Sequence, residues 1–199
     1  MKLIGITGNI ASGKSTISRI IAEHYNLPLI NVDDFSRNWI VTYPLILERF
    51  FDKWNIKRHS SIQETLRKEL FKKKNHYFKS RLESTISDAF WLYISTIRDD
   101  SKTYIIEHPL LFELAETRFF NFIIGIDAEE NIRIDRMKKR GYSPATIRQR
   151  LNNQIPLYQN KDNIDLILDN NIPLTKEQII NELSNSREFK ALLSEGSVS

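Results

Sequence analysis

The chain has 199 residues, 41% of them hydrophobic and 27% charged, with a formal net charge of +4. That is the balance of one globular domain, with or without an appendage, and it excludes an intrinsically disordered chain. Six Gly and six Pro exclude collagen-like and low-complexity sequences, and the absence of Cys excludes a disulfide scaffold, a thiolate metal site and cysteine catalysis. In chain order, Lys2–Thr7 reads as a buried strand; its one Lys and short apolar run, broken by polar Thr7-Gly8-Asn9, are not expected to form a secretory signal. Lys14–Tyr25 reads as an amphipathic helix with Ile17, Ile20 and Ile21 on one face, and Leu29–Val32 as a second strand. From Arg37 to about Arg98 the pattern is mostly helical, with clusters Ile62/Leu66/Leu70 and Phe90/Tyr93/Ile97 and a polar break at Lys57–Ser61. Thr103–Glu107, Phe122–Ile126 and Leu166–Leu168 complete five strands, and helices are expected at Glu129–Lys139, Pro144–Gln154 and Lys176–Ser194. The polar tail Glu195–Ser199 is expected to fray. No apolar run nears the roughly 18 residues of a membrane span, so the cytoplasm is the expected compartment. His24, His59, His76 and His108 lack metal-ligand spacing, and a pI near 9.2 favours anionic partners without naming them.

Strands alternating with helices predict an α/β fold of three layers, a parallel five-stranded sheet between helices. The helical stretch between strands two and three is too long for a simple crossover and reads as an inserted lobe. Gly8-Asn9-Ile10-Ala11-Ser12-Gly13-Lys14-Ser15 matches G-x-x-x-x-G-K-[ST] between a strand and a helix, the phosphate-loop context. Gly8 and Gly13 permit close backbone approach, so successive amides face one concavity, and the helix N-terminus adds its positive dipole end. Ala11, Ser12 and Thr16 complete the loop around ATP or GTP. Lys14 reaches the β- and γ-phosphates, and the Ser15 hydroxyl is placed to ligate Mg²⁺. A guanine-reading Asn-Lys-x-Asp segment is absent, which argues against a GTPase switch.

Phosphoryl transfer needs positioning, charge neutralisation and an acceptor for the hydroxyl proton. Asp33, after strand two, is the expected base, with Asp34 as fallback; the competing reading is a helix cap. Arg136 and Arg140 share a helical face at i, i+4. Gly141 is expected to end that helix, and Ser143-Pro144 to cap and begin the next. Helix–turn–helix with arginines at the bend describes a lid that closes over ATP, against the blander readings of a solvated basic face or a nucleic-acid surface. Lys72-Lys73-Lys74 is read as a solvated face.

Taken together, these segments resemble the dephospho-CoA kinase family. The match runs through Gly5–Thr16, Ile30-Asn31-Val32-Asp33 followed by Arg37, His108-Pro109-Leu110-Leu111-Phe112-Glu113, and Arg136, Arg140, Arg150, Gln154 and Asp169-Asn170-Asn171. The resemblance implies a P-loop kinase that uses ATP and Mg²⁺ to phosphorylate the ribose 3′-hydroxyl of dephospho-CoA. It implies Asp33 as base, Arg136 and Arg140 as lid arginines, and Pro109, Leu110, Leu111 and Glu113 with Arg37 near the substrate. Asn170 would lie near the adenine side. The implied organisation is a core of 1–36, 100–135 and 155–199, a CoA-binding lobe of 37–99 and a lid of 136–154. The expected partners are small molecules, with no nucleic acid or membrane, and the expected form is a monomer, with an oligomer as the alternative.

Departures from the family pattern are specific. Asn9 and Ala11 replace glycines; Asn tolerates positive φ and Ala does so poorly, so a slightly reshaped loop is expected. Asn31 replaces the first Asp of the strand-two element, and Leu82-Glu83-Ser84-Thr85 stands where a His-Pro pair is usual. His108 replaces an aliphatic residue and is read as packing. The competing functions are a nucleoside or nucleotide kinase, and a non-catalytic ATP- or RNA-binding module. The Pro-Leu-Leu-Phe-Glu and Asp-Asn-Asn segments argue against the first, and the joint presence of Lys14, Asp33, Arg136 and Arg140 against the second.

Overall fold

The computed structural model describes residues 1–70, 72–152 and 154–194. The tail Glu195–Ser199, expected to fray, lies outside the described residues, as does Phe71. The chain forms two compact units. The first comprises Met1–Val32 and the chain from Asp99 onward; the second is Asp33–Arg98.

The first unit is built on a parallel five-stranded sheet in the order β2-β3-β1-β4-β5. The strands are β1 (Lys2–Thr7), β2 (Leu29–Asn31), β3 (Thr103–Glu107), β4 (Phe122–Asp127) and β5 (Leu166–Asp169). Their β-branched, nearly unbroken apolar runs suit a sheet covered on both faces. Ile4, Ile6, Ile105, Ile124, Ile126 and Leu168 pack with Ile17 and Ile21 of α1 (Lys14–Tyr25), and with Ile179, Leu183 and Phe189 near the C-terminus. Each fully buried Ile or Leu contributes roughly 1.5–3 kcal/mol relative to exposure. After β3 the chain crosses β1 to continue on its other side, so the switch in strand order falls at the C-terminal ends of β1 and β3. That edge is where open α/β sheets bind ligands.

Most boundaries agree with the sequence reading to within a residue, and the differences that bear on the fold lie at β2, at α7 and near the C-terminus. Strand β2 stops at Asn31 and helix α2 (Val32–Thr42) begins at once, so Asp33 lies in a first helical turn instead of at a strand end. The expected helix Lys176–Ser194 is two helices, α8 (Lys176–Asn185) and α9 (Arg187–Ser194). Ser186 between them is extended, and its hydroxyl accepts from the Phe189 amide at 3.2 Å. The expected helix Pro144–Gln154 closes at Leu151. In number order, the helices between α2 and α8 are α3 (Pro44–Lys53), α4 (Ile62–Glu69), α5 (His76–Thr96), α6 (Glu130–Lys139) and α7 (Pro144–Leu151).

The second unit has its own core of Trp39, Leu47, Phe51, Ile56, Leu66, Phe78, Leu82 and Ile86. The buried stripe of α5 is Phe78, Leu82, Ile86, Phe90 and Ile94, one residue per turn. Tyr93, expected in that stripe, is 40% exposed and stacks on Phe35 of α2. Among the described residues no helix is long and apolar enough to cross a membrane.

Candidate active site

The turn from β1 into α1 has three residues in left-handed backbone: Gly8 (φ +149°), Ala11 (φ +61°) and Gly13 (φ +112°). A Cβ on Gly8 would press against the Ile126 carbonyl, and one on Gly13 would meet the Asn170 carboxamide. Both glycines therefore serve close approach as well as torsion. The amides of Ala11, Gly13 and Ser15 have no acceptor among the described residues, so they are available to anionic oxygens at the positive end of α1. Lys14 Nζ donates to the carbonyls of Gly8 (2.6 Å) and Asn9 (3.1 Å), which holds its ammonium across the loop. Thr16 is exposed on the first turn of α1.

The register of β3 brings a carboxylate to this loop. Glu107 is the last residue of β3, paired with Ile6 on one side and Asn31 on the other. It is 5% exposed. It accepts from Ser15 Oγ at 2.7 Å and Ser18 Oγ at 3.0 Å, both on α1. Among the described residues its side-chain hydrogen-bond partners are these two hydroxyls, which leaves acceptor capacity on the carboxylate. Glu107 went unrecognised in the sequence; an acidic residue closing an apolar strand was the available signal.

The two arginines expected to act together have different surroundings. Arg136 Nη1 donates to the carbonyls of Ala11 (3.2 Å) and Ser12 (3.1 Å), and Nη2 to that of Asn170 (2.6 Å). It braces the outside of the loop. Arg140 is the C-terminal cap of α6, exposed, with no side-chain hydrogen bond among the described residues. Gly141 (φ +80°) ends α6 and Ser143 caps α7, accepting from the Thr146 amide at 3.2 Å ahead of Pro144. Both features match expectation. Asn170, expected beside the adenine, is a strut: its side chain donates to the Ser12 carbonyl (2.6 Å) and accepts from the Leu174 amide (3.0 Å).

Loop residues 108–116 are held by their own polar contacts. His108, buried, accepts from the Leu110 amide through Nδ1 (3.2 Å). That leaves Nε2 to carry hydrogen, and it meets Glu116 Oε2 at 2.5 Å. Leu111 is fully buried beside Gly5. It supports the loop from beneath, a correction to its expected place against substrate. Pro109 and Leu110 are half-buried, and Glu113 accepts from the Ile155 amide at 3.2 Å.

Asp33 and Arg37 belong to the second unit. Both are exposed on α2, and Arg37 pairs with Asp34 one turn before it.

The family model described as CoaE, dephospho-CoA kinase, matches residues 2–176. The chain belongs to the dephospho-CoA kinase family. A dephospho-CoA kinase of Clostridium perfringens is 30% identical over 189 residues, covering 88% of this chain and 93% of the relative. One from Oryza sativa subsp. japonica is 29% identical over 198 residues, with 94% and 86% coverage. A solved structure from Thermus thermophilus superposes with a TM-score of 0.71 at 21% identity, covering 98% of this chain and 97% of that one. The dephospho-CoA kinase from Campylobacter jejuni gives 0.56 at 20% identity with the same coverage. At those identities the two structures speak for the fold.

The two loop residues read from the sequence as departures from the family pattern take defined places. Ala11 retains the left-handed torsion expected of a glycine, and its methyl is buried against Met137 of α6 and Ile147 of α7. Asn9 uses its side chain to bind the segment following α7: Nδ2 donates to the Ile155 carbonyl (2.9 Å) and Oδ1 accepts from the Leu157 amide (3.1 Å). Gln154 accepts from the Ile10 amide at 2.6 Å.

Proposed function

We propose that this protein transfers the γ-phosphoryl group of ATP to the ribose 3′-hydroxyl of dephospho-CoA, giving coenzyme A and ADP. The reading is supported by membership of the dephospho-CoA kinase family over most of the chain, joined to a phosphate loop whose Ser15 bonds a buried strand-end carboxylate.

The loop amides and Lys14 bind the triphosphate, with Gly8, Ala11, Ser12, Gly13, Ser15 and Thr16 around it. Lys14 exchanges its two carbonyl partners for β- and γ-phosphate oxygens. The Ser15 hydroxyl and the Glu107 carboxylate are hard oxygen donors carrying net negative charge, so they fit Mg²⁺. When bound there, Mg²⁺ supplies charge neutralisation on the β- and γ-phosphates. Asp33 accepts the proton of the 3′-hydroxyl as its oxygen bonds to phosphorus and the bond to the ADP oxygen breaks. Arg140 provides planar donors to the transferring group, while Arg136 and Asn170 hold the loop from outside and shape the adenine side.

The helical lobe of 37–99 takes dephospho-CoA, with Arg37 and the loop bearing Pro109, Leu110 and Glu113 as its contacts. Residues 136–154 act as the lid. A monomer in the cytoplasm is the working form.

The test is an ADP-release assay with Mg-ATP and dephospho-CoA, run beside nucleosides as acceptors. Turnover of dephospho-CoA is the expected result. Turnover of a nucleoside alone would replace this reading with a nucleoside kinase, and ATP binding with no acceptor would replace it with a non-catalytic module.

A further inference from the structure

We infer that Asn9 is a positioning residue that registers the exit of the α6–α7 hairpin on the phosphate loop, so that nucleotide in the loop fixes the lid that carries Arg140. The inference rests on the kinase reading above.

Three observations carry it. First, Asn9 is bonded in two directions. Its carbonyl accepts from Lys14 Nζ (3.1 Å) and from the Ser12 amide (3.1 Å), within the loop. Its carboxamide bonds the chain leaving α7, on the Ile155 carbonyl and the Leu157 amide. The side chain is an amide used as donor and acceptor at once, so Asp or Ala reproduces only part of it or none. Second, the next residue repeats the connection: the Ile10 amide donates to Gln154 Oε1 at 2.6 Å. Third, Ile10 and Ala11 pack with Ile134 and Met137 of α6, Tyr142 of the turn, and Ile147 and Leu151 of α7. Loop residues 9–11 therefore meet the hairpin along its apolar side and again at its exit.

A hairpin held at its exit by the Asn9 carboxamide and by the Ile10–Gln154 bond has a defined register. A lid held so loosely that its donors arrive about 1 Å out of place loses on the order of 100-fold in rate. The loop amides that bind phosphate are main-chain groups and do not depend on the Asn9 side chain. Loss of the carboxamide should therefore separate rate from nucleotide affinity.

The experiment compares wild type with Asn9→Ala and Asn9→Asp. It measures kcat with dephospho-CoA, the Kd for ATP, the Tm, and amide hydrogen exchange at Leu157 with and without ATP. The expected result is a kcat lowered roughly 10- to 100-fold with the ATP Kd and Tm little changed. Leu157 exchange should slow when ATP binds the wild type. This response should be lost in Asn9→Ala and weakened in Asn9→Asp, which keeps an acceptor for the Leu157 amide but sets a carboxylate oxygen against the Ile155 carbonyl. An unchanged kcat would overturn the inference. So would a fall in kcat, ATP affinity and Tm together, which is the mark of a merely structural residue. If wild type fails to phosphorylate dephospho-CoA, the functional reading fails separately, and ATP-dependent protection of Leu157 then decides the coupling. If neither variant folds, the wild-type response of Leu157 to ATP decides it in the same way: protection supports the coupling and no change overturns it.

Discussion

Ala11 holds φ at +61° in the middle of the phosphate loop, a torsion that costs a residue with a Cβ about 1–2 kcal/mol. The methyl group lies against Met137 and Ile147, and its burial offsets part of that strain. Ala11→Gly should therefore change stability by less than about 1 kcal/mol, since torsional relief is opposed by the lost methyl and by roughly 0.4–1 kcal/mol of unfolded-state entropy. Ala11→Val should destabilise, because a β-branched side chain fits this torsion poorly; urea unfolding of the two variants measures the difference. In the proposed role, in which the Arg140 charge acts on the transferring group, Arg140→Ala should lower kcat with little effect on ATP affinity. Arg136→Ala should weaken ATP binding as well, since it removes three bonds that brace the loop; titration with ATP separates the two. The motif positions were legible because the phosphate loop is a local structure. Glu107 was not legible, because its meeting with Ser15 depends on the register of β3 against β1. The separate fates of Arg136 and Arg140 were hidden for a similar reason. Spacing puts them on one helical face, but the end of α6 turns Arg140 out of the regular helix while Arg136 finds carbonyls from other segments.

At the level of elements, capping chemistry proved the most readable signal. Gly141 ends α6, and Ser143 with Pro144 begins α7. Ser143→Ala should destabilise α7 by about 1 kcal/mol, seen as a lower midpoint in urea with an unchanged slope. Hydrophobic periodicity was less decisive. It carried Lys176–Ser194 through as one helix, because both halves are amphipathic and only the Ser186 hydroxyl, bonded to the Phe189 amide, marks the break. It also ran β2 one residue too far, because Val32 suits a strand as well as the buried start of a helix. The consequence falls on Asp33, which then lies on a helical turn.

Across the molecule, charge is more organised than a surplus of four suggests. Lys72, read from sequence as part of a solvated run, pairs at 2.6 Å with Glu69, which is fully buried in the second unit. Glu69 also bonds His59 Nε2 at 2.9 Å and Asn75 Nδ2 at 3.3 Å. The His59 hydrogen bond, followed by the Lys72 bond, lowers its carboxyl from the ordinary 4.5 to about 2. A carboxylate with a depressed folded pKa stabilises fully above its unfolded value and loses that contribution as pH falls toward the folded one. The second unit should therefore weaken between about pH 4.5 and pH 2. Glu69→Gln should flatten this part of the stability profile, measured by thermal unfolding across that range. The alternation of strands and helices made the parallel sheet legible, and the length of the helical stretch made the insert legible. The polar centre of that insert was not, because a buried Glu among basic neighbours has the same sequence pattern as a solvated face.

The central claim is transfer of phosphate to one hydroxyl of dephospho-CoA. Its most direct test is phosphorus NMR of the product formed by wild type from Mg-ATP and dephospho-CoA, with Asp33→Asn in parallel. The account predicts a new phosphomonoester on the ribose 3′-oxygen, formed with one ADP per acceptor, and a large loss of rate in Asp33→Asn with ATP still bound. Phosphate at another position, or ADP formed without any phosphorylated acceptor, would contradict it.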